Sequence, residues 1–452
     1  MYLNNMNTLK RLYPYVYKIM KSEKCDSNYE ILSTKTNYKT LKVNDFGLEF
    51  YIHSKYNPLK ESQRFFENNY KNNIKNFIII GFGLGYHIEN FLYKIDNKKI
   101  FVFEFNKKIF NQALLNMDLI SILKDDRLEL IISDNLTSYI NKLKEILNKE
   151  DEFEIIFHTQ SMKAIPNQYK EIKYLLEEFR MKKKLVGVED LLIENFNSNI
   201  KNVDRYVNDL FNKMIDVPAF LISAGPSLDK NINELKKIKN KGLILCVGRA
   251  VKALLNKDIV PDAIIITDPY DIVYEQIQGL NIFIPIIILS TCNKKVALNY
   301  KGKKYIAFQK GFKNSEELAN KNNYSTVETG GSVATTALDI LIKFGCDPIV
   351  FVGQDLAFSE EKTHSEQANH LNVSNKNTLR KVLDVNGKEV YTSKNLFSYL
   401  RWIQNRIQKE KSITFIDSTE GGARINGTDL LSLKESIKKY CCEDISDNIN
   451  LL

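Results

Sequence analysis

Residues 220–229 read FLISAGPSLD, an apolar run that stops in small residues and passes into a polar, helix-like segment. A strand ending in such a turn lets a phosphate approach the backbone at Gly225, Pro226 and Ser227. Ser227 or Asp229 would cap the following helix, whose first N–H groups favour an anion. One such turn is a weak signal, because any parallel α/β sheet has several. Four later segments repeat the pattern. Residues 243–249, LILCVGR, end in Gly248 and Arg249, and residues 262–269, DAIIITDP, end in Asp268 and Pro269. Residues 328–333, ETGGSV, form a turn at Gly330, Gly331 and Ser332 that opens a helix expected to reach about Phe344. Residues 349–358, IVFVGQDLAF, carry Gln354 and Asp355 at the end of another apolar run. Polar and glycine residues thus gather at the carboxyl ends of successive strands, the edge of an open α/β sheet where ligands bind.

A second glycine-rich turn stands far upstream. Residues 81–87, GFGLGYH, follow an apolar strand and open a helix, and Glu104 ends the next strand. This layout lets Gly81, Gly83 and Gly85 approach a nucleotide while the carboxylate takes ribose hydroxyls. The spacing resembles class I methyltransferases, with S-adenosylmethionine over the loop and Asp134 near the adenine, more than it does GxGxxG. The same loop also occurs in Rossmann-like domains that bind nothing. No later motif supplies a methyl acceptor or a base, which favours a scaffold or acceptor-recognition role.

The elements that carry these turns divide the chain. Its 452 residues suffice for two or three domains. Residues 1–165 read as a mixed lead-in followed by alternating strands and helices, and residues 166–216 as a charged helical connector. Residues 217–428 read as a second α/β unit, and residues 429–452 as a helix and tail. The expected fold is therefore α/β, two tandem Rossmann-like units with mostly parallel sheets joined by a helical connector. Hydrophobic residues make up 44%, which excludes global disorder. The net charge of +9 is spread along Lys-rich helices, as on a solvated surface, and no nucleic-acid partner is expected. Six cysteines without a CxxC pair or a neighbouring His argue against a disulfide framework or a zinc site, and no metal is expected. No apolar run approaches ~18 residues, so the expectation is a cytoplasmic protein without a membrane span.

The ordered set in the second unit resembles the motility accessory factor (Maf) family. It comprises Ala224 to Leu228, Gly248-Arg249, Pro261-Asp262 to Asp268-Pro269, Gly330 to Val333, Gly353 to Ala357, Thr363-His364 and Asp417 to Ile425. The glycine-loop domain is similar to the family's N-terminal domain, so most of the chain is covered. Family members often carry a further C-terminal domain, of which this chain has little. The resemblance implies a glycosyltransferase that moves a nonulosonic acid, of the pseudaminic or legionaminic type, from its CMP-activated form onto Ser or Thr of flagellin. Its central domain is also similar to bacterial sialyltransferases, which work without a metal. No cofactor beyond the donor is implied.

On that reading the loops at Gly225, Pro226 and Ser227 and at Gly330, Gly331 and Ser332 would hold CMP. Arg249 would neutralise a phosphate or the sugar carboxylate, or else form a surface ion pair. Asp268, Asp355 and Gln354 would bind hydroxyls, or the carboxylates would cap the next helices. His364 is the candidate base, with His370 weaker, against a plain loop histidine. Sialyltransferases of the similar type place their catalytic His just before a Ser-Lys-Asn stretch. Here Thr392 stands in that place. Glu420 and Arg424 would close over the donor, or form a structural turn with a Glu–Arg pair. Two other readings stay open: a 6-hydroxymethylpterin diphosphokinase-like enzyme using ATP and magnesium, and a non-catalytic flagellin-binding module.

Overall fold

A computed structural model of the chain describes residues 1–45, 47–149, 152–183, 188–358 and 379–452. The chain divides into two compact units, Met1–Met181 and Lys182–Leu452.

The first unit opens with helices Tyr2–Leu12 and Pro14–Lys21 and an antiparallel sheet of β1 (Tyr29–Ser33), β2 (Lys39–Asp45) and β3 (Leu48–Tyr51). After helix Pro58–Asn69 come β4 (Asn76–Ile80), β5 (Lys99–Phe103), β6 (Leu128–Ile131) and β7 (Phe153–Phe157). These four are parallel, in the order β6-β5-β4-β7. Both faces are covered, which is why the strands read as continuous apolar runs. Phe77, Ile79 and Val102 face one core, and Ile78, Ile80, Phe101 and Phe103 face the other. The chain reverses direction across the sheet beside β4, and the turn at Gly81–Gly85 sits at that switch point.

The second unit is built on nine strands in the order β18-β17-β14-β9-β10-β11-β12-β13-β8. They are β8 (Arg205–Tyr206), β9 (Ala219–Ile222), β10 (Leu243–Val247), β11 (Ala263–Ile266), β12 (Ile286–Leu289), β13 (Lys304–Ala307), β14 (Ile349–Val352), β17 (Phe415–Asp417) and β18 (Asp429–Leu430). Every pairing is parallel. A separate antiparallel hairpin joins β15 (Arg380–Leu383) to β16 (Glu389–Thr392). The central strands are almost wholly apolar, dominated by Ile, Val, Leu and Phe, and the four residues of β9 and of β14 are all buried. The strand order grows outward from β9 through β13, then returns to the other side of β9 with β14. The topological switch therefore lies between β9 and β14.

The two α/β units match the sequence expectation, with two adjustments at their edges. The stretch read as a connector is not one piece. Helix Lys170–Lys183 contributes Ile172 and Leu176 to the first unit's core, while β8 is an edge strand of the second sheet. Nor does the second unit stop at residue 428. β18 pairs with β17, and Leu433, Ile437, Ile445 and Leu452 pack into the same core. Short apolar spacings at the end of a chain look like a frayed helix until a partner surface is known.

Candidate active site at the sheet switch point

The carboxyl ends of β9, β10, β11 and β14 border a cavity of about 190 Å³. Among its lining residues are Gly225, Arg249, Asp268, Ser332, Gln354 and Asp355, all singled out in the sequence. Thr267, Gln276, Leu396 and Tyr399 also line it and carried no separate signal. Tyr399 lies on helix Lys394–Gln408, whose amphipathic spacing reads as plain core packing. The same helix presents Trp402, which packs against the core.

Asp355 anchors the site. It follows β14, is 4% exposed, and accepts the Ser227 hydroxyl at 2.7 Å and the Ser227 amide at 3.3 Å. Burial pushes its carboxyl up to about 6, with the Ser227 hydrogen bonds and Lys230 opposing and Asp417 adding to the rise. Glycines make room for it. A Cβ on Gly225 would sit 1.9 Å from Asp355 Oδ2, and one on Gly422 would sit 2.2 Å from the Asp355 carbonyl oxygen. The next residue, Leu356, takes φ +52. A left-handed conformation at a non-glycine residue costs on the order of 1–3 kcal/mol, and such strain clusters at functional sites.

This arrangement changes the role expected for the first loop. Ser227 is fully buried and committed to Asp355, and the Gly225 amide donates to the Gly353 carbonyl at 2.8 Å. The helix that follows, Leu228–Asn231, is a single short turn. Gly225, Pro226 and Ser227 thus hold a carboxylate of the protein and do not offer an open row of donors to a phosphate.

The second loop opens a capped helix beside the cavity. Ser332 caps the helix Val333–Phe344 in a reciprocal pair with Thr335. Ser332, Val333 and Ala334 line the cavity, so the positive end of a 12-residue helix faces it. Gly331 takes φ +91, and a Cβ on Gly330 would strike Trp402 at 2.4 Å. Both glycines shape the turn beside the cavity.

Arg249 stands in the first turn of helix Gly248–Leu255, exposed and on the cavity. Asp268 retains solvent contact by surface area, yet dense surroundings raise its carboxyl above the usual range, with Arg249 opposing. Gln354 is buried and accepts the Ser223 hydroxyl at 2.5 Å.

Glu420 and Arg424 do not line the cavity. The Glu420 carboxylate accepts from Asn231 at 2.9 Å and from the Leu433 amide at 3.1 Å, so it fastens the following helix. The Arg424 guanidinium donates to the Ile425 carbonyl and to Thr428, and lies 3.9 Å from Asp417. The turn is structural, without the expected Glu–Arg pair. Thr392 is buried and donates to the Leu356 carbonyl at 2.7 Å. His364 and His370 lie outside the described residues.

The upstream loop is closed on itself. Glu104 is buried, and its carboxylate accepts the amides of Phe82 at 2.9 Å, Gly83 at 3.3 Å and Asn106 at 2.8 Å. Desolvation pushes its pKa up to about 7 against those hydrogen bonds. The Leu84 amide donates to His53 Nε2 at 2.9 Å. Gly81 and Gly83 are required because a Cβ would meet Ser161 at 2.3 Å and His53 at 2.6 Å. The helix cap Gly85 takes φ +95. Asp134 pairs with Lys107 at 2.6 Å. The donors and the carboxylate assigned to a nucleotide are thus spent on each other, an arrangement that favours the scaffold role.

By fold and site, the chain is a tandem Rossmann-like α/β protein with its candidate site at the switch point of the second sheet. The family described as "Glycosyltransferase Maf N-terminal domain" matches residues 28–186. Residues 192–361 match the family described as "6-hydroxymethylpterin diphosphokinase MptE-like". A Maf glycosyltransferase from Magnetospirillum magneticum AMB-1 shares the fold over 100% of this chain and 78% of its own, with a TM-score of 0.52 and 16% identity. Comparison with curated protein sequences finds no match. Residues 28–186 thus carry the N-terminal domain of the Maf glycosyltransferase family, and the structural likeness shows a shared fold over the whole chain. Among the described residues no helix is long and apolar enough to cross a membrane.

Proposed function

We propose that the second unit transfers a nonulosonic acid from its CMP-activated form to Ser or Thr hydroxyls of flagellin. The observation that carries this reading is the cavity at the switch point, where one cation, one helix N-terminus and two carboxylates converge. CMP departs bearing phosphate charge. The first turn at Ser332–Ala334 and the Arg249 guanidinium are suited to that charge. Asp268 and Gln354 are suited to hydroxyls. The cavity is smaller than the ~300–1,000 Å³ usual for ligand sites. A cavity of this size suits part of a nucleotide-sugar, the remainder lying outside within reach of a protein acceptor. The attacking hydroxyl must lose a proton. His364 remains the proposed base. Asp355 is the alternative on the cavity wall, because a carboxyl held near 6 can accept a proton at neutral pH.

The match of residues 192–361 to the pterin kinase-like family supports a second reading, pyrophosphoryl transfer from ATP with magnesium at Asp268 and Asp355. Purified protein incubated with flagellin and CMP-nonulosonate decides between them by the mass of the flagellin. A mass gain that persists without added magnesium supports the transferase. Protection against heat by ATP and magnesium but not by CMP, with unmodified flagellin, supports the kinase. Absence of both, with flagellin still bound, supports a non-catalytic module. In the transferase, His364→Ala should slow modification about 10²–10⁴-fold while CMP still binds. Full activity would move the role to Asp355.

A further inference from the structure

Three of the chain's five histidines meet inside the first unit. His53 follows β3, His87 lies in the first turn of helix Tyr86–Lys94, and His158 follows β7. They are 3%, 1% and 5% exposed. One ring nitrogen of each lies within 4.8 Å of the others. A cavity of about 140 Å³ adjoins them, lined also by Glu61, Phe65 and Gln160.

The hydrogen bonds define which nitrogens carry lone pairs. His87 Nε2 faces the Gly81 carbonyl at 2.8 Å, so it holds the proton and leaves Nδ1 bare. That Nδ1 is buried with no hydrogen-bond partner, and so is Gln160 Oε1 on the same cavity. His158 Nδ1 lies 2.7 Å from the Ser161 hydroxyl; in the tautomer that donates to it, the lone pair is on Nε2. His53 is different. Its Nε2 accepts the Leu84 amide, so its proton is on Nδ1, 3.4 Å from the Glu61 carboxylate. Bare nitrogens, an amide oxygen and a carboxylate together form a wall of acceptors. Buried acceptors left without a donor or a cation are costly.

The geometry points to a divalent transition-metal site in the first unit, with His87 Nδ1, His158 Nε2 and the Glu61 carboxylate as ligands and His53 orienting Glu61. Imidazole nitrogens with a carboxylate suit zinc and its first-row neighbours. An N–H held by a backbone carbonyl, as in His87, is the usual support of a metal-bound ring. Binding requires one movement. The His87 and His158 rings are stacked nearly parallel, with centroids 4.4 Å apart, so their lone pairs do not yet converge. Ligand atoms around a tetrahedral ion stand roughly 3.3 Å apart. One of the two rings must turn for them to converge. No spacing in the sequence announces the cluster, because its members come from three separate elements.

The test uses the full chain with the exposed thiols removed by Cys25→Ser and Cys442→Ser, stripped with chelator and titrated with zinc and with cobalt. The expected result is one ion per chain by elemental analysis, ligand-field absorption from cobalt, and a rise in melting temperature. His87→Gln and His158→Gln should each weaken binding at least about 10–100-fold. Glu61→Gln, at the cavity rim, should weaken it without loss of fold. The double change His364→Gln and His370→Gln should leave affinity intact. Absence of stoichiometric binding overturns the proposal, as does equal affinity in His158→Gln and Glu61→Gln; the cavity then holds water.

Discussion

Asp355→Asn tests whether a buried, ionisable carboxylate underlies the site. The carboxyl is held at about 6 against a reference of 3.8, chiefly by desolvation. A raised folded-state pKa means that the native protein keeps its proton when the unfolded chain has lost it. The group therefore contributes full stability below about pH 4 and loses it as pH rises through about 6. The gap of about two units corresponds to roughly 3 kcal/mol in total. About 2 kcal/mol of that falls between about pH 4.5 and pH 7. Asparagine preserves the shape and can accept the Ser227 hydroxyl, but it does not titrate. The stability of the variant relative to wild type should therefore rise by about 2 kcal/mol across that interval. Urea unfolding of the whole chain, read by hydrogen exchange at β9 and β14, measures it at both pH values. Parallel pH profiles for the two proteins would refute the reasoning, because Asp355 would then ionise as freely in the native chain as in the unfolded one.

Arg249→Ala should weaken CMP binding by about tenfold to a hundredfold, the loss of one charge-assisted contact of ~1.5–3 kcal/mol; calorimetry that finds unchanged affinity removes the residue from the site. Gly225→Ala should lower stability by at least ~3 kcal/mol through overpacking, because its Cβ would lie 1.9 Å from Asp355 Oδ2 and 2.4 Å from the Gly353 carbonyl. A melting temperature equal to wild type would show that this loop can move away from Asp355. Glu104→Gln should leave CMP binding unchanged, since Glu104 hydrogen-bonds its own glycine loop in the first unit; loss of binding would return the nucleotide to that loop.

Strand identity was legible because parallel strands covered on both faces must be apolar throughout, as β9, β10 and β14 are. The row of strand ends was legible for the same reason: each run stops where polar chemistry begins. Arg249, Asp268, Ser332, Gln354 and Asp355 accordingly line one cavity. Glu420 and Arg424 misled because a polar residue beside a glycine turn looks the same whether it faces a ligand or fastens the next helix. Tyr399 was hidden in a helix whose spacing accounts for it as packing.

The two glycine turns show where sequence reading reaches its limit. Both follow a buried strand at a sheet switch point, and both hold glycines where a Cβ would collide. What distinguishes a ligand site from a structural turn is who takes the turn's N–H groups. At Phe82 and Gly83 it is Glu104, about twenty residues away; at Ser227 it is Asp355, more than a hundred residues away. Spacing puts Glu104 beside its loop without showing that it takes the loop's own N–H groups, and it gives no link at all between Ser227 and the distant Asp355. The helix N-terminus at Ser332–Ala334 differs because its cap comes from within its own turn, Ser332 and Thr335 satisfying each other. A self-capped end needs no carboxylate from elsewhere, so it can face the cavity with its positive potential intact. That local arrangement makes the N-terminus of helix Val333–Phe344 better suited to face an anion than the Gly225–Ser227 turn, whose donors are already taken.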